Sequence, residues 1–398
     1  MTEETAYANL AAVAESATLG MTARAAALGA SERPVLSLSA GEPDFPTPAY
    51  IAEAGIRAIR EGRTHYPPAT GLAPLREAIA AHLNETCGGD YGARNVIVSV
   101  GAKNALFNAI FTLFGPGDRV VVPAPYWVSY PAMIRLARAE PVIVETDRAS
   151  GFRLEPAALD AALADGARGV VLNSPCNPTG AMLGRDDLDA LLDVAAARGA
   201  WVIADEIYMA IRYGGSFASV ATRASEESRI VLVNGFSKAY AMTGWRVGYA
   251  AAPSDLVQAM ARLQGHVNTN TALPSQYAAL AALADGPARE AAVGAMVAAF
   301  AARRALLLDG LAGMPGLDLF APDGAFYLWI GAHDWCRAVG GGSDGLCLDL
   351  LEHEGLALVP GSAFGVDGYI RLSFAAAETV LAVAIERLAL AAARLGLG

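Results

Sequence analysis

Short apolar segments recur along the chain, separated by longer stretches with apolar residues at helical spacing. Many of the short segments are rich in Val and Ile and do not alternate with polar residues, which is typical of strands buried on both faces. The predicted strands are Val96–Val100, Val120–Pro123, Pro141–Val144, Gly169–Leu172, Trp201–Ala204, Ile230–Val233 and Val247–Ala251. The clearest helical segments are Asn104–Phe114, Pro156–Leu163 and Asp186–Ala197. This alternation predicts an α/β fold with a mostly parallel, doubly wound, seven-stranded sheet.

The pattern changes after about residue 286. An Ala- and Arg-rich helix is predicted over Pro287–Leu311, and the final segment is again Ala- and Leu-rich. Between them the pattern predicts strands at Leu317–Phe320, Ala325–Ile330 and Tyr369–Phe374 and a helix at Leu346–His353. We therefore expect a large domain over residues 46–286 and a smaller α+β domain formed by residues 1–45 and 287–398.

Polar residues cluster where four of the predicted strands end. The segments that follow these strands are Gly101–Lys103, Asn173–Gly180, Asp205–Tyr208 and Asn234–Lys238. Ligands of open α/β sheets bind beyond the carboxyl ends of the strands, so we expect these segments to meet in one crevice.

Each cluster also has a purely structural interpretation. Gly101-Ala102 fits a tight turn into a helix as well as a phosphate site at a helix N-terminus. Asn177–Gly180 is typical of a turn. Asp205 is either a helix cap or the partner of a buried cation, and a single lysine such as Lys238 is most often solvated. The combination points to a cofactor, because one ligand would use all of these groups together.

Composition narrows the function classes. The formal net charge of −11 argues against a nucleic-acid partner, which would require a basic surface. No apolar run reaches the length of a membrane span, and the N-terminus lacks the order of a secretory signal. The four cysteines show no metal-ligand spacing, so we predict free thiols, no metal site and a cytoplasmic protein. These cysteines are Cys87, Cys176, Cys336 and Cys347.

The segment Ser237–Gly248 resembles the lysine segment of class I, fold-type-I aminotransferases. Further motifs occur in the order of that family: Gly41–Phe45, His65–Pro68, Pro125–Trp127, Asn177–Gly180, Asp205–Tyr208 and Arg371–Ser373. The resemblance covers nearly the whole chain and is greatest for the bacterial aspartate aminotransferase subgroup, some members of which use prephenate. It implies the aspartate aminotransferase-like fold and pyridoxal 5′-phosphate (PLP) as cofactor.

The resemblance implies roles for the residues around the cofactor ring. Lys238 matches the lysine that binds PLP as a Schiff base and then moves the substrate α-proton as base and acid. Asp205 matches the acid that keeps the ring nitrogen protonated. Tyr208 and Asn177 are expected to hydrogen-bond the 3′-oxygen, and Trp127 is expected to stack on the ring, although a tryptophan by itself is typical of a core.

The resemblance also implies a phosphate site and a dimer. Arg246 offers a fixed fork of donors. The backbone amides of Gly101, Ala102 and Lys103 and the Ser237 hydroxyl are expected to add further donors. Tyr66 resembles the tyrosine that reaches the phosphate of the neighbouring subunit, which implies a homodimer with shared active sites. Gly235 stands three residues before the lysine, where many relatives have a serine.

For the substrate, Arg371 matches the arginine that binds the α-carboxylate, with the Gly41 amide and Asn177 as helpers. A lysine at position 103 in the subgroup meets the distal carboxylate of a dicarboxylic substrate, and Thr18 is expected to line the same pocket. Two departures favour aromatic or other amino acids instead. Glu15 precedes Ser16, where the subgroup often has a basic residue, and His266–Asn270 replaces a run that is usually small and polar.

The main hypothesis is therefore transfer of an amino group from an L-amino acid, best aspartate or glutamate, to a 2-oxo acid by a ping-pong mechanism. A PLP-dependent lyase on the same fold is a second hypothesis, and Lys103 favours transfer. A transcription regulator with an aminotransferase-like sensor domain is a third. It would need a DNA-binding domain, for which the early position of Gly41–Pro43 leaves little room.

Overall fold

A seven-stranded sheet forms the centre of the large half of the protein. The computed structural model describes Leu10, Val13 and residues 20–21, 23–26, 35–284 and 286–397. The strands of this sheet are β2 (Val96–Ser99), β3 (Arg119–Ala124), β4 (Glu140–Glu145), β5 (Gly169–Asn173), β6 (Trp201–Asp205), β7 (Ile230–Gly235) and β8 (Gly248–Ala251). They lie in the order β2-β8-β7-β6-β5-β3-β4. The predicted α/β class and all seven predicted strands are confirmed.

One strand of this sheet, β8, runs antiparallel to both of its neighbours, whereas the other neighbouring pairs are parallel. A parallel connection requires a long crossover, usually a helix, but the short segment between β7 and β8 contains only turns. Since β8 is antiparallel to both β2 and β7, β2 runs in the same direction as β7. It therefore also runs in the same direction as β5 and β6. The carboxyl ends of these four strands therefore meet at one edge.

Alternate side chains of the strands enter two separate cores. Val96, Val98, Val121, Val170 and Val202 pack in one core, and Ile97, Val120, Val122, Val171 and Ile203 pack in the other. Both faces are covered by helices, which explains the continuous apolar runs in the sequence. These helices are α1 (Ala49–Arg60), α2 (Ala73–Cys87), α3 (Ala102–Leu113), α4 (Ser129–Leu136), α5 (Pro156–Ala164), α6 (Arg185–Ala197), α7 (Ser254–Val267) and α8 (Leu273–Ala284).

The C-terminal part forms a smaller α+β unit together with the segment around residue 36. Strand β1 (Leu36–Ser37) pairs in parallel with β11 (Leu356–Ala357). A second, antiparallel sheet has the order β12-β13-β10-β9, with β9 (Asp318–Phe320), β10 (Tyr327–Gly331), β12 (Val359–Pro360) and β13 (Tyr369–Ser373). The helices of this part are α9 (Gly286–Leu311), α10 (His333–Val339), α11 (Gly342–Glu354) and α12 (Glu378–Arg394).

Helix α9 is the one helix of the described residues that is long and apolar enough to cross a membrane by length and composition. In the fold it packs along α12. Its Arg303 side chain is buried and donates two hydrogen bonds, of 2.7 and 2.8 Å, to the carboxylate of Asp44. These contacts make α9 a packing helix of the small unit, and they anchor the segment that follows Gly41.

Candidate active site

A cavity of about 450 Å³ lies where β2, β5, β6 and β7 end. Residues from the small unit, among them Tyr327 and Arg371, complete its wall. Eleven of the residues that the sequence singled out line this cavity: Gly41, Ala102, Lys103, Trp127, Asn177, Asp205, Tyr208, Ser237, Lys238, Arg246 and Arg371. The structure therefore brings together residues that are up to 330 positions apart, from Gly41 to Arg371.

Two of the predicted residues lie outside the lining of the cavity, and a third cannot be placed. Gly101 directly precedes α3 and is buried next to the cavity. Tyr66 does not line the cavity, and 88% of its surface is exposed. Thr18 lies outside the described residues.

Asp205 is a buried carboxylate at the last position of β6. The Tyr130 hydroxyl donates a hydrogen bond of 2.8 Å to its Oδ2 atom, and the Ile207 amide donates one of 3.2 Å to Oδ1. Burial raises the pKa of Asp205 to about 6, while these two hydrogen bonds and the Lys238 amine oppose that rise. Strand β6 thus holds an acid that a cationic partner in the cavity would return to its ionised form.

Lys238 extends into the cavity from the turn that follows β7. Its Nζ atom donates a hydrogen bond to the carbonyl oxygen of Gly41. Burial lowers the pKa of Lys238 to about 8; the carboxylate of Glu42 raises it, and the cations Arg371 and Arg246 lower it further. A substantial fraction of this amine is therefore neutral, and nucleophilic, near physiological pH.

Arg371 is a fully buried cation on β13, with 2% of its surface exposed. Nη1 donates to the side-chain oxygen of Asn177 at 2.9 Å, and Nη2 donates to the carbonyl oxygen of Ser39 at 2.7 Å. Its Nε atom has no partner among the described residues, and burial lowers its pKa. A buried guanidinium without a carboxylate partner is a site suited to an anionic ligand.

The start of α3 and Arg246 form a second anion-binding corner. Gly101 has a φ of +80°, and a Cβ atom there would lie 2.6 Å from Nη2 of Arg246. The Gly101 amide donates to the carbonyl oxygen of Ser99 at 2.7 Å, and the Asn104 amide donates to that of Gly101 at 3.1 Å. The amides of Ala102 and Lys103 remain as donors for a ligand. Ser237 lines the same cavity. A guanidinium, a hydroxyl and helix N-terminal amides together are a donor set that suits a phosphate.

Two glycines keep this corner narrow. A Cβ atom on Gly248 would lie 2.2 Å from the backbone nitrogen of Ala102, and one on Gly235 would lie 2.9 Å from Cα of Gly248. A serine at position 235 would therefore have to displace β8. Glycine at position 235 thus fits the close approach of β7, β8 and the turn before α3.

Lys103 lies near the Trp127 indole, with Nζ 4.8 Å from the ring centroid. Partial burial lowers the pKa of Lys103, and the nearby Arg246 lowers it further. Among the described residues it forms no salt bridge, although the acidic residues Glu42 and Asp205 line the same cavity. Although it is surrounded by protein on the cavity side, part of its side chain remains exposed, so this ammonium is accessible from the cavity.

Several residues that were not predicted from the sequence contact the predicted site residues. The Tyr130 hydroxyl donates to Asp205. The Asn173 side chain donates from Nδ2 to the carbonyl oxygen of Asp205 at 2.9 Å. Its Oδ1 atom accepts from the backbone amide of Asn177 at 2.8 Å. Tyr327 lies within hydrogen-bonding distance of Tyr208. In the sequence, the only signal for Asn173 is its position directly after a predicted strand. The only signal for Tyr130 is its position shortly after Pro125–Trp127. Tyr208 itself lies in the turn that follows β6.

Comparison with known proteins identifies the family. The sequence profile for aminotransferase class I and II matches residues 33–388. The chain belongs to this family. The aminotransferase is 41% identical over 386 residues to an aspartate aminotransferase of Geobacillus stearothermophilus, covering 95% of this chain and 96% of the relative. It is 40% identical to a probable aspartate/prephenate aminotransferase of Aquifex aeolicus, covering 94% and 95%.

The solved structures agree with this assignment. The aminotransferase superposes on aspartate aminotransferase from Thermus thermophilus with maleate at a TM-score of 0.92 and 38% identity, covering 97% of this chain and 99% of the other. It also resembles the aspartate aminotransferase of Rhizobium meliloti, with a TM-score of 0.91 and 37% identity over 98% of each chain. The protein is a PLP-dependent transaminase.

The cavity fits this cofactor. The corner formed by Arg246, Ser237 and the start of α3 suits its phosphate, and a side chain on Gly101 would fill that corner. The buried acid Asp205 suits the protonated ring nitrogen, and the Lys238 amine suits the aldehyde. The guanidinium of Arg371, whose Nε atom lacks a partner among the described residues, remains for a substrate carboxylate.

Proposed function

We propose that this aminotransferase moves the amino group of L-aspartate or L-glutamate to a 2-oxo acid, with Lys238 as the lysine that binds PLP. The observation that carries the proposal is the presence of three groups in one cavity: the Lys238 amine, the buried Asp205 acid and the buried Arg371 guanidinium. Amino-group transfer requires a nucleophilic amine, an acid that keeps the cofactor ring charged and a donor pair for the α-carboxylate.

When bound, PLP supplies an electron sink for the electrons left on the substrate carbon after the α-proton is removed. In our proposal Asp205 holds the proton on the ring nitrogen, and Tyr208 and Asn177 donate to the ring oxygen. Arg246, Ser237 and the amides of Ala102 and Lys103 hold the phosphate, with Gly101 leaving room for it, and Trp127 lies against the ring. The Lys238 amine, once free, would accept the proton of the substrate α-carbon as a base and deliver it to the cofactor side as an acid within the same half of the reaction, and it would move a proton in the opposite direction in the second half.

Arg371 would hold the α-carboxylate through its fork of donors, helped by Asn177 and the Gly41 amide. Its buried position orients the substrate so that the α-carbon faces the lysine. Asn177 already bonds Arg371 at 2.9 Å, so the amide fixes the guanidinium plane before substrate arrives.

Lys103 supports a dicarboxylic substrate. Its ammonium lines the same cavity and is not in a salt bridge with a described residue, so a second substrate carboxylate could pair with it. The Thermus relative was solved with maleate, which is also a dicarboxylate. Leu106, Trp127 and Ile207 form apolar parts of the wall, which supports an aromatic substrate or prephenate as the second candidate.

We also propose a homodimer with shared active sites. Tyr66 is 88% exposed in the single chain, which is unusual for a tyrosine, and Ile59 and Val267 are also more than half exposed. In the proposal these side chains face a second copy, and Tyr66 reaches the partner's phosphate corner. Sedimentation of the wild-type protein tests the dimer, and a Tyr66→Phe variant with weaker cofactor retention but unchanged mass would support the shared site.

The division into domains proposed from the sequence is supported by the sheets. Residues 36–37 pair with residues 356–357 and not with the large sheet, which agrees with a small domain built from residues 1–45 and 287–398 and a large domain over 46–286. Cys87, Cys176, Cys336 and Cys347 are free thiols, which supports the proposed cytoplasmic location.

The decisive experiment combines chemical fixation with a half-reaction screen. Lys103 and Lys238 are the only two lysines of the sequence, so borohydride reduction followed by peptide mapping has two possible lysine targets. We expect the cofactor mass on Lys238 alone, and conversion to the pyridoxamine form fastest with aspartate and glutamate. A Lys103→Arg control should retain the label. Absence of label at Lys238, or turnover by Lys238→Ala, would refute the assignment.

A further inference from the structure

Tyr327 links the proposed cofactor site to the proposed carboxylate site. Its hydroxyl oxygen lies 2.8 Å from the hydroxyl oxygen of Tyr208. The guanidinium carbon of Arg371 lies 4.4 Å from the centroid of its ring. Tyr327 lines the cavity and has only 1% of its surface exposed. One side chain thus contacts both the residue assigned to the cofactor's ring oxygen and the residue assigned to the substrate.

The fold fixes Tyr327 firmly in this position. It begins β10 and pairs with Ser373 of β13, so Arg371, two residues earlier in β13, is a diagonal neighbour on the same face. The Tyr208 and Tyr327 rings are 5.8 Å apart and nearly perpendicular. On the opposite side, a Cβ atom on Gly41 would lie 2.6 Å from the Tyr327 hydroxyl oxygen. The glycine therefore makes room for that hydroxyl.

We propose that Tyr327 is a positioning residue for transamination that acts through Tyr208. This inference rests on the proposed function, in which Tyr208 donates to the cofactor ring oxygen. Either hydroxyl can donate across this contact. In the proposal, once Tyr208 donates to the cofactor, the Tyr327 hydroxyl donates to the oxygen of Tyr208, so the single proton of Tyr208 remains available for the cofactor. Hydrogen bonds in such a chain polarise one another, and Tyr208 becomes a stronger donor. The Tyr327 ring, in turn, supports the guanidinium of Arg371.

Replacing Tyr327 by phenylalanine separates the hydroxyl from the ring. A weaker Tyr208 donor leaves more negative charge on the ring oxygen, which favours a proton on the nitrogen that joins Lys238 to the cofactor. We expect the pH midpoint of the visible absorbance change of the holoenzyme to rise by about 0.5–1 unit in Tyr327→Phe. The KM for amino acids should change less than about twofold, because the ring beneath Arg371 remains.

Three further variants make the test specific. Tyr208→Phe should raise the midpoint at least as much, and adding Tyr327→Phe to it should give no further rise if Tyr327 acts through Tyr208. Tyr213→Phe is the matched control: its hydroxyl bonds the Ala325 carbonyl oxygen outside the cavity, so the midpoint should stay constant. Tyr327→Leu removes the ring as well and should raise the KM for all amino acids alike.

The outcomes separate this inference from the proposed function. If borohydride places the cofactor on Lys238 and Tyr327→Phe leaves the midpoint unchanged, the role of Tyr327 is refuted and the proposed function stands. An equal rise with and without Tyr208 would also refute it. If no cofactor is found on Lys238, the proposed function fails first. Circular dichroism verifies that the Tyr327→Phe variant is folded. The Tyr208→Phe variant removes the other hydroxyl of the same hydrogen bond and so provides an independent measurement of its effect.

Discussion

The Tyr130 hydroxyl donates a hydrogen bond of 2.8 Å to the carboxylate of Asp205. Tyr130 lies on α4 and Asp205 ends β6, so the contact joins two elements 75 residues apart. Both side chains are buried. The hydroxyl lowers the pKa of a carboxyl that burial raises to about 6. Without it, the acid that is proposed to hold the cofactor's ring proton would be neutral over more of the physiological pH range.

Tyr130→Phe should therefore weaken cofactor binding, and more so at low pH. Loss of a hydrogen bond to a charged group costs about 1.5–3 kcal/mol, or roughly tenfold to a hundredfold in affinity. The loss should be larger at pH 6 than at pH 8, because a higher pKa leaves more of Asp205 neutral at pH 6. Equilibrium dialysis of PLP at both pH values measures this.

The control for this substitution is Tyr126→Phe. Tyr126 is four residues before Tyr130 but does not line the cavity. It should leave PLP affinity unchanged at both pH values. Equal losses at pH 6 and pH 8 in Tyr130→Phe would show that the hydroxyl does not act through the ionisation of Asp205.

The lowered pKa of Lys238 predicts how fast the cofactor-free protein captures PLP. The neutral amine is the nucleophile, so the rate should rise about tenfold per pH unit below pH 8 and level off above it, since the pKa is about 8. A lysine with an ordinary pKa would show a rate that keeps rising to about pH 10. Stopped-flow absorbance measures the capture rate. A rise that continues through pH 10 would contradict the desolvated environment of this amine.

Gly248→Ala should damage the phosphate corner. A Cβ atom there would lie 2.2 Å from the Ala102 backbone nitrogen, and neither backbone can move without disturbing the start of α3. We expect unfolding free energy to fall by about 1–3 kcal/mol and PLP affinity to fall with it. Gly244→Ala, which has no atom within 4 Å of the added carbon, is the control. Urea denaturation of the two variants compares them, and equal stabilities would contradict the close packing.

The sequence predicted the strands well, because most of them are buried on both faces and read as continuous apolar runs, although the edge strand β4 is partly exposed. It could not predict that Val247–Ala251 forms an antiparallel strand, since direction depends on the connection and not on the apolar pattern. Eleven of the singled-out residues could be assigned to the cavity from the order of the motifs alone, whereas Tyr66 lies outside it. Tyr130, Asn173 and Tyr327 could not, because a buried tyrosine or a turn asparagine looks the same in sequence whether or not it bonds a site residue.

Arg371→Lys should raise the KM for every amino acid alike. Lysine keeps the charge but cannot form two parallel hydrogen bonds with a carboxylate, and it leaves Asn177 or the Ser39 carbonyl without a donor. We expect an increase of roughly tenfold or more with aspartate and with phenylalanine. Steady-state kinetics with both amino acids measures it. An increase confined to aspartate would place Arg371 at the distal carboxylate instead.

Lys103→Ala tests the substrate class. If the Lys103 ammonium pairs with the distal carboxylate, kcat/KM should fall about tenfold to a hundredfold with aspartate and glutamate. With phenylalanine it should change less than about threefold, because alanine keeps the backbone amide of the phosphate corner and the helix propensity of α3. Lys103→Arg retains the charge beside Trp127 and should keep most of the preference for aspartate. An equal loss with aspartate and phenylalanine would remove Lys103 from substrate recognition, and a gain with phenylalanine would favour the aromatic alternative.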